Sequence, residues 1–99
     1  MTLELFVRPD AEQDLEHAAA WYEQQRPGLG DEFLDEVLRT FQSIAEFPAL
    51  YPVVHRSTRR ALTRRFPFGV YYRVDSERTV VVAVMHGSRS PSRWQRRAL

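Results

Sequence analysis

Apolar positions along the chain switch between two periods, and each switch marks a candidate element. "LELFV" alternates loosely and is rich in strand formers, which predicts a first strand over Leu3–Arg8. Pro9 and Asp10 then punctuate, and Asp10 with Gln13 three positions on reads as a capping box. Ala11, Leu15, Ala18 and Tyr22 follow at helical spacing, with Asp14, Glu16 and His17 on other faces. The helix should stop near Gln25, because "RPGLG" supplies a proline and glycines that cannot continue it. A second helix is predicted to open at Asp31. Leu34, Val37, Leu38, Phe41, Ile44 and Ala45 form its apolar stripe, and Asp31, Glu32, Asp35 and Glu36 crowd the turns where negative charge complements the helix dipole. "FPALYP" ends it. The short connection predicts an antiparallel helical hairpin, whose apolar face needs a cover.

The second half supplies that cover. "RRALTRR" is a short basic strand candidate. In "FGVYYRV", Phe68, Val70, Tyr72 and Val74 alternate with Gly69, Tyr71 and Arg73. "DSER" is a turn, and "TVVVAVM" is apolar on both faces, the mark of a strand inside a covered sheet. "HGSRSPSRWQRRAL" leaves the sheet and predicts a short terminal helix, with Trp94 pinning the segment down. The order β-α-α-β-β-β, a two-helix hairpin on a small, mainly antiparallel sheet, is an α+β fold. No linker or low-complexity tract interrupts it, so residues 1–99 read as a single domain.

Composition narrows the chemistry. The chain has no cysteine, which excludes disulfides and thiolate metal sites. No run approaches the ~20 apolar residues of a membrane span. The opening segment meets charge at Glu4 and Arg8, too early for a signal peptide. These features read as cytoplasmic. The net charge of +1 hides an asymmetry: residues 1–50 carry eleven acidic residues and three arginines, residues 51–99 eleven arginines and two acidic residues. The basic half points to an anionic partner, unless the halves neutralise each other across the fold. All fourteen basic residues are arginine. Its planar fork suits phosphate and carboxylate, and a GC-rich genome gives the same bias, so the absence of lysine selects no function.

Glycine-rich phosphate loops and nucleophile elbows are missing. His17, His55 and His86 show no metal-ligand spacing, so neither a metal nor a cofactor is expected. Arg60, Arg64, Arg65, Arg73, Arg89 and Arg93 form the candidate anion-binding set. They are predicted to line the sheet face turned away from the helices, or its rim, with Phe66, Tyr71 or Trp94 beside them to stack on bases. The plainer reading is a charged edge that prevents strand pairing. His86 ends a strand three residues before Arg89, an arrangement that can move a proton beside a stabilised anion.

Taken in order, "DLEHAAAWYEQQRPGLGDEFLDEV", "IAEFPALYP", "RRALTRRFPFGVYYRV" and "VVVAVMHGSRSPSRW" resemble the ParE/RelE superfamily of toxins, the plasmid-stabilisation proteins of bacterial type II toxin–antitoxin modules. The resemblance runs from Arg8 to Arg97. It implies a toxin fold of two N-terminal helices on a small antiparallel sheet. It also implies a cognate antitoxin encoded by an adjacent gene, held in a hetero-oligomer or beside a toxin homodimer. The antitoxin's docking residues would be Leu15, Trp21, Tyr22, Leu34, Leu38 and Phe41 on the hairpin.

Two targets follow from the resemblance. RelE-like members cut mRNA in the ribosome, and here Arg65, Arg73 and Arg89 would hold phosphate with His86 as acid or base. ParE-like members are not nucleases and inhibit DNA gyrase. Gly69 stands where the nucleases carry an arginine after the aromatic of the third strand, Arg60, Arg64 or Arg65 replace their lysines, and their C-terminal tyrosine is lacking. The departures favour the gyrase reading over the mRNA interferase. A third reading is a decayed module whose arginines only solubilise it.

Overall fold

The computed structural model describes residues 4–98. Strand β1 (Glu4–Val7) leads into helix α1 (Pro9–Gln25) and helix α2 (Leu29–Glu46), then β2 (Val53–His55), β3 (Thr58–Leu62), β4 (Phe68–Val74) and β5 (Arg78–His86). Helix α3 (Ser92–Gln95) and a 3-10 turn over Arg96–Ala98 follow. The strands form one sheet in the order β1-β5-β4-β3-β2, antiparallel except for the parallel β1–β5 pair. The α+β fold expected from the hydrophobic pattern is the fold observed, with one strand more than predicted.

Several boundaries differ for physical reasons. Of the first strand expected over Leu3–Arg8, Leu3 lies outside the described residues, and the strand ends at Val7 because Pro9 occupies the first helical position. Arg8 therefore takes the cap, without a side-chain cap bond, and the Asp10/Gln13 capping box does not form. Asp10 instead accepts the neighbouring Ala11 N–H at 3.0 Å. Helix α2 starts at Leu29, before the expected Asp31, because Gly28 adopts a left-handed φ of 87° that suits a residue without a Cβ. Glu23 of α1 accepts the Gly28 and Gly30 N–H groups at 2.9 and 3.0 Å, so one helix caps the next. Strand β3 stops at Leu62; Thr63 turns the chain, its hydroxyl donating to the Phe66 carbonyl. Strand β2 is three residues long, too short to show an alternation.

Both faces of the sheet are covered, unequally. On one, Phe33, Val37, Phe41 and Ile44 of α2 and Ala11 of α1 bury Phe68, Val70, Tyr72, Val81 and Val84, with Phe66 beside them. Tyr22, Phe33, Phe66 and Phe68 form an aromatic knot with ring centroids 4.8–6.0 Å apart. On the other face, Trp94 stacks on Tyr71 at 4.4 Å over Val80, Val82, Ala83 and Met85. Trp94 pins the C-terminal segment, as its place in the sequence suggested.

Thr79 on β5 is fully buried, and its hydroxyl has no hydrogen-bond partner among the described residues. An unpaired buried hydroxyl costs about 1–3 kcal/mol. Thr79→Val keeps the β-branched shape and is expected to raise unfolding stability by roughly 1 kcal/mol or more, read as a later urea midpoint with unchanged slope.

Candidate functional site

Beyond Val81 strand β5 loses its β1 neighbour, because the register of the pair runs only from Glu4–Arg78 to Val7–Val81. Val84, Met85 and His86, at the end of the strand, border a groove of about 990 Å³. Its opposite wall is the α1 stripe of Asp14, His17, Ala18 and Trp21, spaced so that one helical face presents them all. The turn after β5 closes the end with Ser88, Arg89 and Ser90, and Arg93 reaches it from α3.

His86 is fixed within this turn. The Ser88 N–H donates to His86 Nδ1 at 3.0 Å, and the Ser88 hydroxyl lies 2.8 Å from the same nitrogen. A backbone N–H can only donate, so the neutral ring carries its proton on Nε2. The His86 carbonyl accepts from the Arg89 N–H at 3.0 Å, which ties the two residues together. The ring packs edge-on against Phe68, 5.5 Å between centroids.

Charge in the groove is one-sided. Arg97 grips Asp14 in a bidentate pair at 2.6 and 3.1 Å. Those hydrogen bonds push the Arg97 pKa above its ordinary value. Arg89 and Arg93 are exposed, with no carboxylate partner among the described residues. Of the eleven arginines in residues 51–99, ion pairs to described residues involve Arg65 and Arg97 alone. Direct pairing between the halves therefore leaves most of the basic charge available.

A second arginine group lies on the loop after β3. Arg65 pairs with Glu32 and lies 5.0 Å from the Phe66 ring centre, while Arg64 is exposed. The Arg65 hydrogen bond, with help from Arg26, holds the Glu32 carboxyl below its ordinary range. That contribution is present at neutral pH and fades as pH falls through the lowered value. Glu36, only 9% exposed, accepts the Arg65 and Phe66 N–H groups at 2.9 and 3.2 Å and fixes the loop to α2.

Over residues 5–91 the chain matches the family described as "ParE toxin of type II toxin-antitoxin system, parDE". The chain belongs to the ParE toxin family. A solved structure described as the chromosomal ParDE TA system from P. aeruginosa shares the fold, with a TM-score of 0.78 over 86% of this chain and 96% of that one, at 16% identity. No curated protein matches the sequence. A ParE-family toxin of a type II toxin–antitoxin system is thus what the two-helix, five-strand scaffold carries.

The scaffold does not gather the candidate arginines onto one sheet face. The face away from the helices is apolar beneath Trp94, because β5 needs cover on both sides. Arg60, opposite Tyr71, and Arg73, opposite Val80, reach this face half-buried. A Cβ at Gly69 would lie 3.2 Å from Arg60 Cγ and Cδ and from the Tyr71 ring. The space beside that glycine is taken by the Arg60 stem and the Tyr71 ring. Arg89, Arg93 and His86 come together at the groove; Arg64 and Arg65 lie on the separate loop at the same end of β4.

Of the hairpin residues assigned to an antitoxin, Phe41 is 7% exposed and belongs to the core, which corrects its reading as a docking residue. Leu15, Tyr22 and Leu34 are half-buried and pack against the same core. Only Trp21 and Leu38 are more than half exposed, at 57% and 54%. Asp14, His17 and Ser88 escaped the sequence reading as site residues. The spacing of Asp14, His17 and Trp21 on one face of α1 was the available signal for the first two.

Because Glu36 satisfies two main-chain donors, Glu36→Ala is expected to cost about 1.5–3 kcal/mol in denaturant unfolding. Glu36→Gln, which keeps an acceptor oxygen, should lose markedly less.

Proposed function

We propose that this ParE-family chain is a non-enzymatic toxin that arrests growth by binding DNA gyrase in the cytoplasm and is neutralised by a cognate antitoxin encoded by an adjacent gene. Family membership supplies the class, and the structural neighbour, itself a ParDE toxin–antitoxin system, supports the antitoxin partner. One observation favours binding over cutting. Arg73 lies five residues along β4 from Phe68, the residue opposite His86. At about 3.4 Å per residue the two are roughly 17 Å apart along the sheet, too far to serve one scissile phosphate. Arg65 is paired with Glu32 on α2. The four residues of the nuclease reading therefore do not converge, while Arg89, Arg93 and the exposed Trp21 offer a cationic and aromatic surface at one end of the molecule.

The mRNA interferase remains the second reading, favoured by the juxtaposition of His86 and Arg89 alone. One induction experiment separates the two. Purified protein at micromolar excess is expected to block supercoiling by gyrase, induced cells should keep intact transcripts, and His86→Ala should stay inhibitory. Codon-positioned cuts in translated mRNA that vanish in His86→Ala would establish the nuclease instead.

A further inference from the structure

A row of rings runs along the groove between α1 and the end of β5. Trp21, Tyr22, Phe68 and His86 follow one another with centroids 5.1, 6.0 and 5.5 Å apart. Trp21, 57% exposed, leaves a large ring open to solvent, held edge-on by Tyr22, which packs in turn on Phe33 and Phe66. Positive charge collects beside His86. The carboxylate lining the groove, Asp14, is spent on the Arg97 guanidinium and the Val84 N–H. Arg89 and Arg93 are left without a carboxylate partner among the described residues. His86 adds a donor at Nε2, because its Nδ1 accepts from the Ser88 N–H.

We infer that this groove binds a nucleoside 5′-monophosphate, its base on Trp21 and its phosphate between Arg89, Arg93 and His86. Charge selects the head group. A phosphate monoester carries about −1.5 to −2 at neutral pH, which matches two unpaired guanidinium groups. A carboxylate or a phosphodiester carries a single charge and leaves one arginine unmatched. Inside a nucleic-acid strand every phosphate is a diester, so a free nucleotide fits better than a polymer. The rings select the body. An exposed indole stacks a flat heterocycle, and every base has a π face, so the site tolerates different bases. The groove, about 990 Å³, falls within the roughly 300–1,000 Å³ of small-molecule sites. A bound nucleotide covers the arginines that the proposed function assigns to the target, so the two exclude each other. That consequence rests on the target reading; the binding does not.

The full chain, without gyrase, is titrated near neutral pH with adenosine 5′-monophosphate while NMR follows the Trp21 indole and the Arg89 side chain. Both signals are expected to shift saturably, with a dissociation constant below about 1 mM. Adenosine lacks the phosphate, ribose 5-phosphate lacks the base, and the 3′,5′-cyclic monophosphate is a diester. Each should bind at least about tenfold more weakly. Arg89→Glu/Arg93→Glu should abolish the shift. Trp21→Ala should weaken the nucleotide to the level of ribose 5-phosphate and leave ribose 5-phosphate unchanged, both variants being checked for native unfolding stability. Equal binding of the cyclic diester or of ribose 5-phosphate would overturn the inference. So would tighter binding of an oligonucleotide without a terminal phosphate, or no saturable shift at millimolar nucleotide. None of these results bears on whether the free chain inhibits gyrase.

Discussion

Residues Thr79–Met85 are seven consecutive buried positions on one strand, and most of the architecture follows from the need to cover both of their faces. A helix hairpin suffices for one side, where α2 contributes Phe33, Val37, Phe41 and Ile44. On the other side the short C-terminal segment lays one large ring, Trp94 stacked on Tyr71, over the apolar cluster. Burying an aromatic side chain contributes on the order of 3 kcal/mol or more, as the cost of truncating one shows. That is a large share of a small domain's stability. The terminal segment is thus a working part of the core, and Arg97, carried just beyond it, is positioned to clasp Asp14 on α1.

The same requirement decides where charge can go. A sheet face sealed by Trp94 has no room for a bed of guanidinium groups, so arginine is displaced to the margins. Arg60 and Arg73 reach that face only half-buried, Arg59 donates to the Tyr51 carbonyl, and Arg64 and Arg65 ride a loop tied to α2 by Glu36. Only at the end of β5, where β1 no longer pairs, do exposed arginines meet an open groove, a fixed histidine and an exposed tryptophan. The candidate site lies where the sheet is left incomplete.

Much of the fold was legible because it is written in periodicity. The α2 stripe and the runs 68–74 and 79–85 show their period in the residues themselves, and β4 matches its expected span residue for residue. The terminal helix and the role of Trp94 were legible for a similar reason: a lone large ring after a sheet has few other places to go. Features set by tertiary competition were not legible. Asp10 looks like a cap until Pro9 takes the first helical position, and Asp31 looks like a helix start until Gly28 and Glu23 begin the helix earlier. Phe41 belongs to a stripe that reads equally as core or as docking face, and the sheet claims it.

The candidate site was partly visible through His86 and Arg89, which share a local turn. Its other wall was hidden, since nothing in the sequence says that Asp14 on α1 lies against Val84, seventy positions on. One claim therefore carries the rest: the arginines that matter lie at the open end of β5 and not on the sheet face. Gyrase supercoiling assayed with two charge-reversal pairs of matched stability tests it most directly. Arg89→Glu/Arg93→Glu should lose inhibition while Arg60→Glu/Arg73→Glu retains it; the opposite pattern would contradict that claim.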